Sequence, residues 1–324
     1  MLGPEMKCAL PGFADQECGV CRPVDLKYVL ITPARNEAAL IEQTINAVVA
    51  QTARPLKWII VSDGSTDGTD DIIQKYSAAH TWIELVRMPK RKERHFAAKV
   101  CAFNAGYERV RDLTYDVIGN LDADITFEAG YMDYLLRRFA ENPRLGVAGT
   151  PFSEDSLQYD YRFTSIEHVF GGCQLFRREC FQEIGGYVPI KVGGIDLVAV
   201  LTARMKGWAT RTFSGYRCLH HRRMGTAKHS ALIVALRGGR GDYLLGGHPI
   251  WEVFRCLYQM TRRPYLLGGS FRLAGFVAAF ASRAEKVLPA DLVRFRRVEQ
   301  IRRLRGFLKN VACLRVSSPG PVRG

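Results

Sequence analysis

Asp122 and Asp124 stand one residue apart at the end of the apolar run VIGNL, which reads as a buried strand. Unpaired carboxylates are costly to bury, so the pair calls for a cation or for hydrogen-bond donors. On an extended backbone both side chains point to the same side. Two hard oxygens at one spot suit Mg²⁺ or Mn²⁺, which keep waters and complete their shell with substrate phosphates. Paired aspartates at this spacing also cap helices and brace turns, so the motif by itself leaves both readings open. Other groups are equally two-sided. Asp63 lies beside Gly64 in SDGSTD, a turn-forming pair. Asp196 opens a helical pattern, where an aspartate serves as an N-cap. Lys99 suits a solvated helix face, and His220 and His221, followed by Arg222 and Arg223, suit either a surface loop or an anion and metal contact.

The elements that must position these residues alternate. YVLIT (Tyr28 to Thr32), WIIV (Trp58 to Val61), IELVRM (Ile83 to Met88), VIGNLD and GVAGT (Gly146 to Thr150) read as strands. Between them, helical patterns run from Ala38 to Ala50, after SDGSTDGT, from Phe96 to Arg109, and from Glu128 to Glu141, where Pro143 ends the pattern. Strands alternating with helices through short loops predict a doubly wound, mainly parallel α/β sheet. Ligands of such sheets sit beyond the carboxyl ends of the strands, where PARNE, SDGSTD and DAD all fall. Further on, GGCQLFRRECFQEIGGY reads as a strand, a short helix and a turn, and a helix follows from Asp196 to Lys206, stopped by Gly207. No G-x-G-x-x-G follows the first strand and no Walker lysine loop occurs, which disfavours dinucleotide and P-loop chemistry.

Charge divides the chain. From Thr202 onward there are 24 Lys and Arg against 5 Asp and Glu, so that part carries +19 of a net +14 and the first 201 residues carry −5. From Thr226 the sequence is helical, Arg-rich and amphipathic, as in DLVRFRRVEQIRRLRGFL, and it looks for phosphates, anionic lipid or nucleic acid. The apolar stretch from Tyr265 to Ala281 is interrupted by Arg272 and glycines, short of a spanning helix. Most of the nine cysteines sit in apolar stretches, as reduced thiols of a cytosolic protein do. Cys18 and Cys21 form a lone C-x-x-C in a start that lacks a secretory signal, and residues 1–25 read as a flexible tail.

The ordered set PARNEAALIEQTINAVVAQT, WIIVSDGSTDGT, AKVCAFNAG, NLDADITF, GGCQLFRR and a late Asp196 resembles the family 2 glycosyltransferases of GT-A fold, over roughly Asp25 to Gly225. The resemblance implies a GT-A domain over residues 26–225; residues 226–324, read from their own composition, are a basic helical extension suited to a membrane interface. It implies a nucleotide-sugar donor, a UDP- or GDP-sugar, bound by Pro33, Arg35, Glu37, Asp63, Lys99, Asn104 and Asp122. Asp124 is implied as the ligand of Mg²⁺ or Mn²⁺, with His220 or His221 joining it, and Asp196 as the catalytic base of an inverting transfer. Gly172, Arg222 and Arg223 fall on the acceptor or diphosphate side. The family often has a Glu-Asp pair where this chain has Ile195-Asp196, and Q-x-x-R-W, the mark of processive synthases, does not follow Asp196. The absent Q-x-x-R-W favours transfer of one sugar per acceptor, and the basic amphipathic rear points to a lipid-linked or polysaccharide-precursor hydroxyl and to a peripheral enzyme on the inner face of the cell membrane. A nucleotidyltransferase on a related sheet is the nearer alternative. A nucleic-acid-binding protein is the more distant one, since no reading motif accompanies the charge.

Overall fold

The computed structural model describes residues 25–89, 96–154, 157–158, 165–222 and 230–316. The C-x-x-C and Arg223 lie outside the described residues. The chain builds strand β1 (Tyr28–Ala34), helix α1 (Ile41–Val49), β2 (Lys57–Asp63), α2 (Thr69–Ala79), β3 (Ile83–Met88), α3 (Phe96–Tyr107) and β4 (Val117–Leu121). It continues through β5 (Ile125–Phe127), α4 (Tyr131–Glu141), β6 (Leu145–Gly149), β7 (Phe152–Glu154), β8 (Leu157–Gln158), β9 (Cys173–Arg177), α5 (Arg178–Glu183), α6 (Ile195–Met205), β10 (Ala209–Thr212) and β11 (Cys218–His220). Four helices close it: α7 (Ala231–Leu244), α8 (Pro249–Met260), α9 (Leu267–Ala281) and α10 (Ala290–Val316).

The main sheet has seven strands in the order β10-β6-β9-β4-β1-β2-β3. Pairing is parallel from β3 through β2 and β1 to β4 and again between β6 and β10, while β9 runs antiparallel to both β4 and β6. The expected doubly wound, mainly parallel sheet is therefore present, with one reversed strand inserted. Residues alternate between two cores. Val29, Ile31, Ile59 and Val61 face α3, α5 and α6, whereas Tyr28, Leu30, Trp58 and Ile60 face α1 and α4. Burial on both faces explains why these strands read as unbroken apolar runs. From β1 the chain winds toward β2 and β3, then returns to the other side of β1 as β4. The switch point, where ligands of open α/β sheets bind, lies between β1 and β4.

A second sheet, β5-β11-β7-β8, lies over the carboxyl edge. Its strands of two or three residues are shorter than a sequence pattern resolves. The helical region packs back onto the sheet domain: Arg204 of α6 donates to Glu299 of α10 at 2.7 and 2.9 Å. Helices α7 and α9 cross at backbone distance, because a Cβ on Gly239 would collide with the Arg272 carbonyl oxygen and one on Gly275 with that of Leu236. Among the described residues no helix is long and apolar enough to cross a membrane.

Candidate active site

Two loops at the switch point are tied to each other before they meet any ligand. Asn36, held at φ 55°, accepts from the Thr66 N–H at 2.9 Å. The Glu37 N–H donates to Thr69 Oγ1 at 2.9 Å, and the Ala38 N–H to Asp67 at 3.1 Å. PARNE and SDGSTD thus form one wall. Arg35 and Asp63 lie across it as a 3.7 Å ion pair, with Asp63 buried.

The opposite wall is the end of β4. The Asp122 N–H donates to the Gly172 carbonyl at 2.7 Å, extending the β4 to β9 ladder by one residue and fixing where the D-x-D begins. Asn120 donates to Asp122 Oδ1 at 3.3 Å and to the Gly171 carbonyl at 2.7 Å. Lys99, from α3, meets Asp122 Oδ1 at 2.5 Å. Burial pushes the Asp122 carboxyl above its ordinary range and the neighbouring Asp124 adds to the shift, while Lys99 opposes both.

Asp124 is held by the second sheet. In the β11 to β5 register His220 pairs with Ile125, which brings its ring beside Asp124. Its Nε2 is 3.5 Å from Asp124 Oδ2, and Arg222 Nε is 3.9 Å from the same oxygen. Burial works against ionisation of Asp124, but the His220 hydrogen bond and the charges of His220 and Arg222 outweigh it and hold the carboxyl below its ordinary range. Arg222 also grips Glu37 with both guanidinium nitrogens, at 3.0 and 2.5 Å, closing the late loop onto PARNE. His221 turns away, with Nε2 2.7 Å from Thr126 Oγ1.

These groups line two adjoining cavities. One, of about 220 Å³, holds Pro33, Arg35, Glu37 and Asp63 on one side and Lys99, Asp122 and Asp124 on the other. The second, of about 310 Å³, is lined by Phe103, Phe170, Tyr187, Gly172, Asp196 and His220, and shares Lys99 and Asp122 with the first. Asp196 lies at the head of α6, behind two left-handed glycines at φ 89° and 80°. Gly171 gives it room, since a Cβ there would lie 2.6 Å from Asp196 Cβ and 2.9 Å from its Oδ2.

Of the residues expected from the sequence, Asn104 lies apart, as His221 does: it is exposed on α3 and lines neither cavity. Asn120, Gly171, Phe170 and Tyr187 join the site without having been among those expectations. Only Asn120 carries a signal in the sequence, since in NLDAD it lies two residues before Asp122 and so on the same side. The QLFRR segment is structural. Gln174 bonds Tyr187 and the Val169 carbonyl, and Arg177 donates to the carbonyls of Phe139, Asn142 and Leu145.

Asp124 supplies the hard oxygen that Mg²⁺ or Mn²⁺ prefers; the His220 imidazole, the softer donor, would join only in its neutral form, in place of its hydrogen bond to Asp124. Neighbouring ligands of an octahedral Mg²⁺ or Mn²⁺ stand about 3 Å apart, near the 3.5 Å between Asp124 Oδ2 and His220 Nε2. Among the described residues no three His, Cys, Asp or Glu converge. An ion held here would take the rest of its shell from phosphate oxygens and water.

Residues 29–193, half of the chain, match the profile described as glycosyl transferase family 2. Over 135 residues the chain is 31% identical to a poly-β-1,6-N-acetyl-D-glucosamine synthase of Staphylococcus aureus, a match covering 41% of this chain and 31% of that protein. The Staphylococcus epidermidis synthase is 28% identical over the same share. Among solved structures, the mannosyltransferase PcManGT of Pyrobaculum calidifontis, in complex with GDP-Man and Mn²⁺, aligns with a TM-score of 0.53 at 18% identity, over 94% of this chain and 85% of that one. TarS 1–349 of S. aureus in complex with UDP-GlcNAc aligns at 0.52 and 12% identity, over 88% and 81%. These structural likenesses carry the fold, and the profile carries the family: the chain belongs to glycosyl transferase family 2.

Proposed function

We propose that the protein transfers one sugar from a nucleotide-sugar donor to an acceptor hydroxyl, with inversion at the anomeric carbon. The observation that carries this reading is the pair of cavities meeting at Asp122, one walled by Arg35, Asp63 and Asp124 and the other by Asp196. In it the nucleoside lies against Pro33, Arg35, Glu37 and Asp63, and the diphosphate reaches toward Asp124, His220 and Arg222. A Mg²⁺ or Mn²⁺ ion held by Asp124 and His220 would neutralise charge on the departing diphosphate. Lys99 orients the Asp122 carboxylate toward the donor sugar. Asp196 takes the proton of the acceptor hydroxyl as its oxygen bonds to the anomeric carbon. The bond to the diphosphate breaks on the opposite face, and its electron pair leaves with the phosphate oxygen. The aromatic side chains of the second cavity suit a saccharide face in the acceptor.

The acceptor in this reading is lipid-linked or a polysaccharide precursor, and the enzyme is peripheral on the cytoplasmic face of the membrane. Support comes from the helical region. Of the 21 large apolar side chains most exposed among the described residues, 15 lie from Ile233 onward, where the basic residues also concentrate.

A thermal-shift panel of UDP- and GDP-sugars with and without Mn²⁺ tests the donor site, because binding raises stability by mass action. One sugar nucleotide should stabilise the wild type in a Mn²⁺-dependent way, and Asp124→Asn should lose that dependence; an unchanged response refutes the metal assignment. Asp196→Asn should keep donor binding and lose transfer by roughly 10²–10⁴-fold. Released nucleoside diphosphate, rather than pyrophosphate, separates this chemistry from nucleotidyl transfer.

A further inference from the structure

A groove of about 1210 Å³, larger than both active-site cavities, runs along α10. Lys286, Arg294, Arg297, Arg302, Arg305 and Lys309 line it, together with apolar Leu288, Val298 and Ile301. Among the described residues no Asp or Glu joins its lining, and neither Glu285 nor Asp291 reaches it.

The division of α10 into two faces is what makes this groove unusual. Arg296 and Arg303 are turned inward and paired, the first with Asp242 and the second with Glu167 at 3.3 Å and Glu299 at 3.7 Å. Residues 294, 298, 301, 302, 305 and 309 make the outward face, their neighbours along it three or four apart. Arg294, Arg302, Arg305 and Lys309 are exposed there, and none of the four forms an ion pair among the described residues. Like charges three and four apart weaken a helix, so Arg302, Arg305 and Lys309 together cost stability until anions neutralise them.

The groove also adjoins apolar surface. Lys286 lies over the Tyr243 ring, and Tyr243 meets the exposed Phe280 edge-on. Val287 and Val298 are about half exposed beside the cationic groups. Cations around apolar side chains match a surface that offers phosphate and hydrocarbon together. On its inner side the groove touches the catalytic loop in two steps: Arg297 donates to the Gly246 carbonyl at 3.1 Å, and Leu245 fills the space over Gly194.

We propose that the α10 groove binds the phosphate headgroups of anionic membrane lipids, and so sets the second cavity, with Asp196, at a fixed attitude to the bilayer. The proposal rests on the peripheral-membrane reading above and assigns it a site.

The test is flotation of the full chain with phosphatidylcholine vesicles, with and without phosphatidylglycerol, at physiological salt. The wild type should float only with phosphatidylglycerol. The triple variant R294Q/R302Q/R305Q should lose about a hundredfold in affinity, at about fivefold per cationic side chain near an anionic surface. A control that removes three charges from the front of the molecule, R54Q/K75Q/R109Q, should bind as the wild type does. Equal binding by the two triple variants overturns the site, as does a wild type that ignores anionic vesicles. Tighter binding to duplex DNA or to inorganic triphosphate than to vesicles also overturns it, making the groove a general polyanion site. Release of nucleoside diphosphate with a soluble acceptor, measured without vesicles, reports separately on the transfer reaction. Its absence would count against that reaction and leave the vesicle result standing.

Discussion

Asp122 connects both halves of the site, and its neighbours show which roles a sequence discloses. The carboxylates at 63, 122, 124 and 196 were each two-sided as single residues, and it was the ordered set of motifs that drew them together; the structure brings all four to the two adjoining cavities. Asn120 showed only through its two-residue offset from Asp122 and Gly171 not at all, because their role is contact: one donates to Asp122, and the other leaves room for Asp196. Gly171→Ala tests that role. A methyl group 2.6 Å from Asp196 Cβ must push the carboxylate aside, since the glycine is held by the Asn120 hydrogen bond. The expected result is a fall in kcat of tenfold or more, of the kind small misplacements produce, with donor KM nearly unchanged and a loss of stability of about 1–3 kcal/mol from the overpacking. A variant with wild-type kcat would show that Asp196 does not need this space.

At the scale of elements, the main-sheet strands and their largely parallel arrangement were readable, and the one reversed strand was not. CQLFR, introduced by two glycines, reads as the same strand whichever way it points, so only the structure shows β9 antiparallel between β4 and β6. That reversal carries Gly171 and Gly172 to the end of β4, where their carbonyls accept from Asn120 and from the Asp122 N–H. Helix packing in the rear region was hidden for a similar reason, because arginine counts do not tell paired from exposed. Asp242 of α7 is buried among Arg255, Arg272 and Arg296 of three other helices. Burial opposes its ionisation, but the three guanidinium groups hold the carboxyl far below its ordinary range. A depressed folded-state pKa means that the stabilisation is fully present above the unfolded value of about 3.9 and is lost as pH falls toward the folded value. Asp242→Asn should therefore destabilise the protein at pH 7 by about 3 kcal/mol or more, as removal of one partner from a buried ion cluster does. Its urea midpoint should also change less than that of the wild type between pH 5 and pH 3. Parallel pH profiles for the two proteins would remove Asp242 from the acid transition.

For the molecule as a whole, the sequence announced an acidic front and a basic rear but not how firmly they are joined. The rear helices carry their own small core around Tyr243, Leu244, Phe276 and Ala279, yet α10 also contributes Leu292 and Val293 to the core beneath the main sheet. The join that bears on function is between α10 and α6, because α6 begins with the segment holding Asp196. Arg204 and Glu299 make a two-pronged pair there, with side chains only 9% and 12% exposed. Glu299→Gln should lower stability by about 2 kcal/mol, less than the ~3–5 kcal/mol for a fully buried pair because both groups keep some water. It should also lower kcat while leaving Mn²⁺-dependent donor binding intact, since the cavity proposed for the donor is built on the ends of β1, β2 and β4 and on α3, and not on α6. The paired replacement Arg204→Met with Glu299→Leu removes both charges at once and should recover only part of the lost stability, because Arg204 also donates to the Glu167 carbonyl and Thr210 and Glu299 also pairs with Arg303. If Glu299→Gln melts with the wild type and turns over at the same rate, the basic helices are an appendage to the catalytic domain and not part of the framework that aims Asp196.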